Sequence, residues 1–125
     1  KITWYGHSCF KMESPAGSVI FDPYERGSVP GCELPVGLSA DIVLCSHGHG
    51  DHNARPLVSV SGAQTDYTVE TMFCWHDDAQ GAKRGDNLIR IVSGGGFRVA
   101  TCDIGHMLPD SQIRILHGVD ALMIP

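Results

Sequence analysis

The feature that most constrains this chain is a short apolar run that ends in a crowd of metal-ligand side chains. Asp41-Ile42-Val43-Leu44-Cys45 leads directly into Ser46-His47-Gly48-His49-Gly50-Asp51-His52. A continuous apolar stretch of that length, bounded by polar residues, reads as a strand buried on both faces. Whatever fold the chain adopts must therefore deliver four imidazole and carboxylate donors to the end of a core strand. Such donors suit zinc, iron and manganese. With 7 His and ten Asp in 125 residues, a His-x-His-x-Asp-His pattern arises by chance in about two chains per thousand of this composition, which disfavours a merely polar surface loop. His47 and His49 can aim at one ion, Asp51 and His52 at a second, and Gly48 and Gly50 are expected to let the backbone turn sharply between them.

The rest of the chain reads as short strands. Ile2 to Tyr5, Cys9 to Glu13 and Ser18 to Phe21 form a meander around Gly6 and Pro15-Ala16-Gly17. Residues 22–40 carry Pro23, Pro30 and Pro35 and read as an irregular connection. Residues 54–60 fit either a helical turn or a strand. Tyr67 to Trp75 alternates, and Asn87 to Val92 and Phe97 to Cys102 flank Gly94-Gly95-Gly96 as a hairpin. Asp110 is expected to N-cap a helix running to about His117, with Ile113 and Leu116 on one face and Gly118 as its stop. Asp120 to Ile124 repeats the pattern of Asp41 to Cys45. The fold class is α/β (α+β), a mixed sheet with few helices.

Charge and composition exclude several functions. The formal charge is −5, with 42% hydrophobic residues, too apolar for a disordered tail, and no apolar run approaches the roughly 20 residues of a membrane span. Scattered Lys and Arg in an acidic chain argue against nucleic acid as a partner. Five Cys without a CxxC pair, three of them in or beside apolar runs, favour a reducing compartment, and no secretory segment opens the sequence, so a cytoplasmic location is expected.

Beyond His47 to His52, four further segments carry a resemblance: Thr3-Trp4-Tyr5-Gly6-His7-Ser8-Cys9-Phe10, Ile20-Phe21-Asp22-Pro23, Trp75-His76 through Gly85, and Asp103-Ile104-Gly105-His106. Together they resemble the metallo-β-lactamase fold superfamily, in the branch of Zn-dependent hydrolases related to ascorbate-6-phosphate lactonase. The resemblance implies an αββα sandwich, of which residues 1–125 are the N-terminal half to two-thirds, a single metal-binding domain continuing past Pro125. It implies His47, His49 and His76 on one metal, and Asp51, His52 and a bridging Asp103 on a second, with a last His in the part beyond Pro125. Two Zn ions are expected, Mn or Fe being alternatives. A metal-bound hydroxide would then attack a small ester, lactone or phosphoester.

Around those ligands, Asp51 is a candidate for orienting the nucleophile or passing a proton, and His106 for touching substrate or stabilising an oxyanion. Asp22 is the candidate carboxylate behind a ligand His. Lys83 and Arg84, between Gly81 and Gly85, are candidates for binding an anionic substrate group. His7, in Gly-His-Ser, is read either as lying near the site or, in preference, as a hydrogen-bonded structural residue between two strands, and His117 as surface. The expected partner is a small-molecule substrate, with neither nucleic acid nor membrane, and a homo-oligomer is left open. Two other function classes fit the same residues: an iron redox protein of this fold, and a non-catalytic, metal-stabilised binding module.

Overall fold

The computed structural model describes residues 1–125. Ten strands, one helical turn and one α-helix follow in the order β1 (Ile2–Trp4), β2 (Phe10–Ser14), β3 (Gly17–Phe21), β4 (Ser39–Ala40), β5 (Ile42–Leu44), a 3-10 turn (Arg55–Leu57), β6 (Ser59–Val60), β7 (Thr68–Trp75), β8 (Asp86–Gly94), β9 (Phe97–Thr101), α1 (Asp110–Leu116) and β10 (Ala121–Met123). The strands make two four-stranded sheets, ordered β1-β2-β3-β5 and β10-β9-β8-β7, with β4 and β6 as a separate pair. The strand pattern alone points to mixed sheet, and the two sheets agree with the sandwich that the resemblance implies. Each is mostly antiparallel with one parallel pair, β3 with β5 and β10 with β9.

The alternation of β2, β3, β8 and β9 sends one face of each sheet inward. Met12, Val19 and Phe21 from the first sheet meet Val92, Val99 and Met123 from the second. The opposite face of the first sheet, with Ile20, Val43 and Cys45, is covered by the connection 22–40 through Tyr24, Leu34 and Leu38. The opposite face of the second, with Cys74, Ile89, Ile91 and Ala100, packs against Ile104, Leu108, Leu116 and Val119 around α1. This is an α/β sandwich of two packed sheets. Fully buried Ile20 and Phe21 each contribute roughly 1.5–3 kcal/mol of burial.

Three local expectations change. Asp110 is the first helical residue and Pro109 the N-cap, with no side-chain cap; the acid sits in the first turn, where it faces the positive end of the helix. Ile113 is exposed while Leu116 is half-buried, so the short helix covers its sheet with one residue rather than two. Residues 54–60 combine both readings, a 3-10 turn followed by a strand paired in parallel with β4. The hairpin is as expected: β8 and β9 are joined through Gly95 and Gly96, both at positive φ (61° and 83°), which a two-residue turn of the I′ kind demands.

Candidate metal centre

The end of β5 is stitched to the second sheet, and that stitching positions the cluster. The Leu88 amide donates to the Ser46 carbonyl at 3.0 Å. Arg90, on β8, donates to the Cys45 carbonyl from both Nε (3.0 Å) and Nη2 (2.9 Å), and from Nη1 to Thr71 Oγ1 (2.8 Å). On the other side the Asp22 amide donates to the Leu44 carbonyl, and Asp22 Oδ1 accepts from the Ser46 amide at 2.6 Å. The chain therefore leaves the core at Ser46 with its direction fixed from both sheets. The chain turns sharply over residues 46–52, the His52 amide donating back to the His49 carbonyl at 2.9 Å, although neither Gly48 nor Gly50 lies at positive φ. Gly48 has open space where a Cβ would stand, so the loop shape comes from its anchors.

The donors gather in three overlapping groups, each with ligand atoms within 4.8 Å of one another: His47, His49 and His76; His7, Asp51 and His52; and His47, His52 and Asp103. His76 arrives from the end of β7 and Asp103 from just past β9. Gly105 makes that approach possible, because a Cβ there would stand 2.6 Å from Asp77 Cα and against the His76 carbonyl. Asp103 Oδ2 lies 3.2 Å from His52 Nε2 and 3.7 Å from His76 Nδ1, between a member of the first group and one of the second.

Hydrogen-bond chemistry assigns the proton on His47. The Asn87 amide nitrogen donates to the Asp103 carbonyl, which can only accept, so Asn87 Oδ1 is the atom facing His47 Nδ1 at 3.1 Å. An amide oxygen also only accepts, so Nδ1 carries the hydrogen and Nε2 the lone pair. His47 Nε2 is buried without a partner. Ser46 Oγ, 2.9 Å from Nδ1, adds a second contact on the protonated side. His52 is oriented the same way: fully buried, its Nδ1 faces Asp22 Oδ2 at 3.3 Å, an ion-pair distance at an angle outside that of a formed hydrogen bond. His76 Nδ1 and Asp103 Oδ2 are likewise buried and unpartnered.

Electrostatics point the same way. Burial, then repulsion from His52 and His76, pushes the His47 imidazole down to about 4. Burial also lowers His76, with Asp103 opposing and His49, His52 and Arg84 adding to the effect. Burial would lower His52 too, but Asp22, Asp103 and Asp51 outweigh it and raise it. Burial would raise Asp51, yet His52, His7 and His47 hold it low. The lowered His47 and His76 and the ionised Asp51 are thus in the state in which such groups ligate a cation, while the acids around His52 favour positive charge there, which a cation would supply in place of its proton. Buried polar atoms are ordinarily partnered. Three unpartnered ones converging in one place, each a metal donor, therefore fit a bound cation.

Other expected site residues stand apart. His106 Nε2 accepts from the Trp75 amide at 3.0 Å and its Nδ1 lies 2.9 Å from the Met107 carbonyl. Both ring nitrogens thus serve the backbone, which leaves none for substrate or an oxyanion and corrects the catalytic role expected of it. Lys83 is paired with Asp78 at 2.7 Å on the surface, so its charge is spent within the loop. Arg84 is exposed and close enough to act on His76. The loop itself is ordered by Asp77, whose carboxylate accepts from the amides of Ala79, Gly81, Lys83 and Arg84. Desolvation opposes ionisation there, but those four donors bring the carboxyl down to about 2. His117 is exposed.

Asn87, Arg90 and Ser46 escaped the sequence reading. Their signal was present: an amide and a guanidinium flanking the apolar Leu88, Ile89, Ile91 and Val92 of β8, and a hydroxyl inside the ligand motif. Of the two readings of His7, the structure favours the one beside the site, with its Nε2 2.9 Å from His52 Nε2 and 3.5 Å from Asp51 Oδ2.

Comparison with known proteins bears on both fold and site. The family model described as the beta-lactamase superfamily domain matches residues 1–125. A UPF0173 metal-dependent hydrolase of Opitutus terrae is 32% identical over 96 residues, covering 77% of this chain and 40% of that protein. One from Mesorhizobium japonicum is 37% identical over 105 residues, covering 78% and 44%. The chain thus spans less than half the length of these curated relatives. A solved structure from Thermotoga maritima, named as a candidate Zn-dependent hydrolase of the metallo-beta-lactamase superfamily, superposes with a TM-score of 0.65 at 23% identity over 97% of this chain and 58% of that one. That likeness concerns the fold.

Proposed function

From the premise that the chain belongs to the beta-lactamase superfamily domain family, we propose that it is the ligand-bearing part of a two-metal hydrolase, with zinc as the metal and a small ester, lactone or phosphoester as the substrate. The observation that carries this reading is the convergence of His47 Nε2, His76 Nδ1 and Asp103 Oδ2, all buried and none with a protein partner. His47, His49 and His76 would hold one ion; Asp51 and His52 would hold the other, with Asp103 reaching both. The names of the curated relatives support metal-dependent hydrolysis.

When bound, the ions supply a Lewis acid for the substrate oxygen and bring a water's pKa near neutrality. The chain's own residues do the rest. Asn87 and Ser46 keep the His47 proton on Nδ1, and Asp22 does the same for His52, so both rings present their Nε2 lone pairs to the site. Asp51, about a third exposed and held ionised, is the carboxylate placed to orient the attacking water and to take its proton. Arg84, exposed beside His76, is the remaining cation for an anionic substrate group.

The test is metal analysis of the purified protein joined to a panel of esters, lactones and phosphodiesters. Zinc content with turnover that is abolished by chelation and by His49→Ala supports the reading. Iron with oxygen consumption, or turnover equal to that of His47→Ala across the whole panel, overturns it.

A further inference from the structure

We propose that His7 is a ligand of the second ion, supplied from the turn between β1 and β2; this rests on the two-metal reading above. Zn–N and Zn–O bonds of roughly 2.0–2.2 Å, at angles between a right angle and the tetrahedral value, separate two donors on one ion by about 2.8–3.6 Å. His7 Nε2, His52 Nε2 and Asp51 Oδ2 are separated by 2.9, 3.5 and 3.6 Å, and Asp103 Oδ2 lies 3.2 Å from His52 Nε2. These are the edges of one coordination shell.

A hydrogen bond between the two imidazoles accounts for one of those edges and leaves the others unexplained. With His52 Nδ1 turned toward Asp22, a bound cation would leave the ring its Nδ1 proton and take the Nε2 lone pair. That lone pair faces His7, Asp103 Oδ2 and Asp51 Oδ2 together, and Asp103 Oδ2 has no donor at all. A single proton from His7 cannot serve three acceptors; a cation among them can. The turn also holds the ring in place. His7 sits at φ 49°, its carbonyl accepts from Trp4 Nε1 at 2.8 Å, and the Cys9 amide donates to the Gly6 carbonyl at 2.9 Å. Beneath it, Gly6 lies so close to Cys32 Sγ and the Tyr24 hydroxyl that a Cβ would stand 3.0 and 3.2 Å from them.

The experiment is Co(II) titration of the metal-stripped protein, read by bound equivalents and by the visible d–d spectrum, for wild type, His7→Ala and His7→Gln. Gln keeps a hydrogen bond to His52 but is a poor ligand. Expected are two equivalents in wild type, with the second weakened at least about tenfold in both variants and its spectrum altered. His7→Asp, which supplies an anionic oxygen donor in place of the imidazole, is expected to regain the second equivalent. Melting of the metal-free forms by circular dichroism identifies a variant that has unfolded, and the remaining variants then decide. Two equivalents with wild-type affinity and spectrum in His7→Gln overturn this assignment alone. Fewer than two equivalents in wild type overturn it together with the two-metal reading, a failure that appears before any substitution is made.

Discussion

Asn87 offers the sharpest check on how the centre is built. It is 1% exposed and sends one end of its amide to the Asp103 carbonyl and the other, at 3.1 Å, to His47 Nδ1. Asn87→Leu fills similar volume and removes both bonds. The Asp103 carbonyl then loses its side-chain donor, at about 1–3 kcal/mol for a buried unsatisfied group. His47 retains Ser46 Oγ at 2.9 Å, so its ring is loosened rather than released and adds at most about 1 kcal/mol. The metal-free protein should thus lose about 1–4 kcal/mol in urea unfolding. Metal affinity should fall by about 10–100-fold, because a group behind a ligand has been removed. Asn87→Asp separates the two contributions. It keeps an acceptor for His47, holding the tautomer, but sets a carboxylate against the Asp103 carbonyl, so stability should fall while the first equivalent of metal still binds tightly. The assays are urea melts of stripped protein and competitive zinc titration with a chromophoric chelator. Wild-type zinc affinity in Asn87→Leu would refute the reasoning, since the orientation of His47 would then owe nothing to the amide.

Three further outcomes follow from the same geometry. Gly105→Ala forces a Cβ to 2.6 Å from Asp77 Cα and should cost about 1–3 kcal/mol by overpacking, with an altered Co(II) spectrum as Asp103 moves away from His76. Arg90→Met leaves the Cys45 carbonyl without its two guanidinium bonds and should destabilise by about 1.5–3 kcal/mol; Arg90→Lys should rescue little, since one ammonium cannot reproduce the fork. Asp77, held at about 2 against an ordinary 3.8, contributes stability that is present above its unfolded value and lost as pH falls through its folded one. The urea midpoints of wild type and Asp77→Asn should therefore stay a constant distance apart above about pH 5 and converge between about pH 4 and pH 2.

What the sequence disclosed followed the range of each interaction. Strand positions were legible because alternation and turn residues are local: β2, β3, β7 and the β8–β9 hairpin fall where pattern and glycine placed them. The His47–His52 motif was legible because four donors sit within six residues. The division into two sheets was legible only through the resemblance carried by the motifs, since β3 pairs in parallel with β5 across a long proline-bearing connection, and nothing periodic in the chain marks which sheet a strand joins. His106 misled because a His near a ligand invites a chemical role, whereas a backbone amide and a carbonyl beside it absorbed both nitrogens.

The residues that position the ligands were hidden for a different reason. Asn87 acts across the sandwich on the His47 ring and on the Asp103 carbonyl, and Arg90 on the Cys45 carbonyl at the end of β5, the contacts with residues 45 and 47 spanning about 40 positions of sequence. A carbonyl carries no side-chain identity for a pattern to match. Their visible trace was a defect, a polar group in an apolar strand, and a buried polar group needs a partner to be tolerated at all. His7 left a trace of the same kind, a ligand-type residue held in a left-handed turn where glycine or asparagine would be easier. In this fold the motif supplies the donors, while the departures from ideal strand and turn composition mark the residues that aim them. That predicts where an unseen second set of supports would be found: at polar residues in β7 to β9 whose substitution costs metal affinity out of proportion to stability.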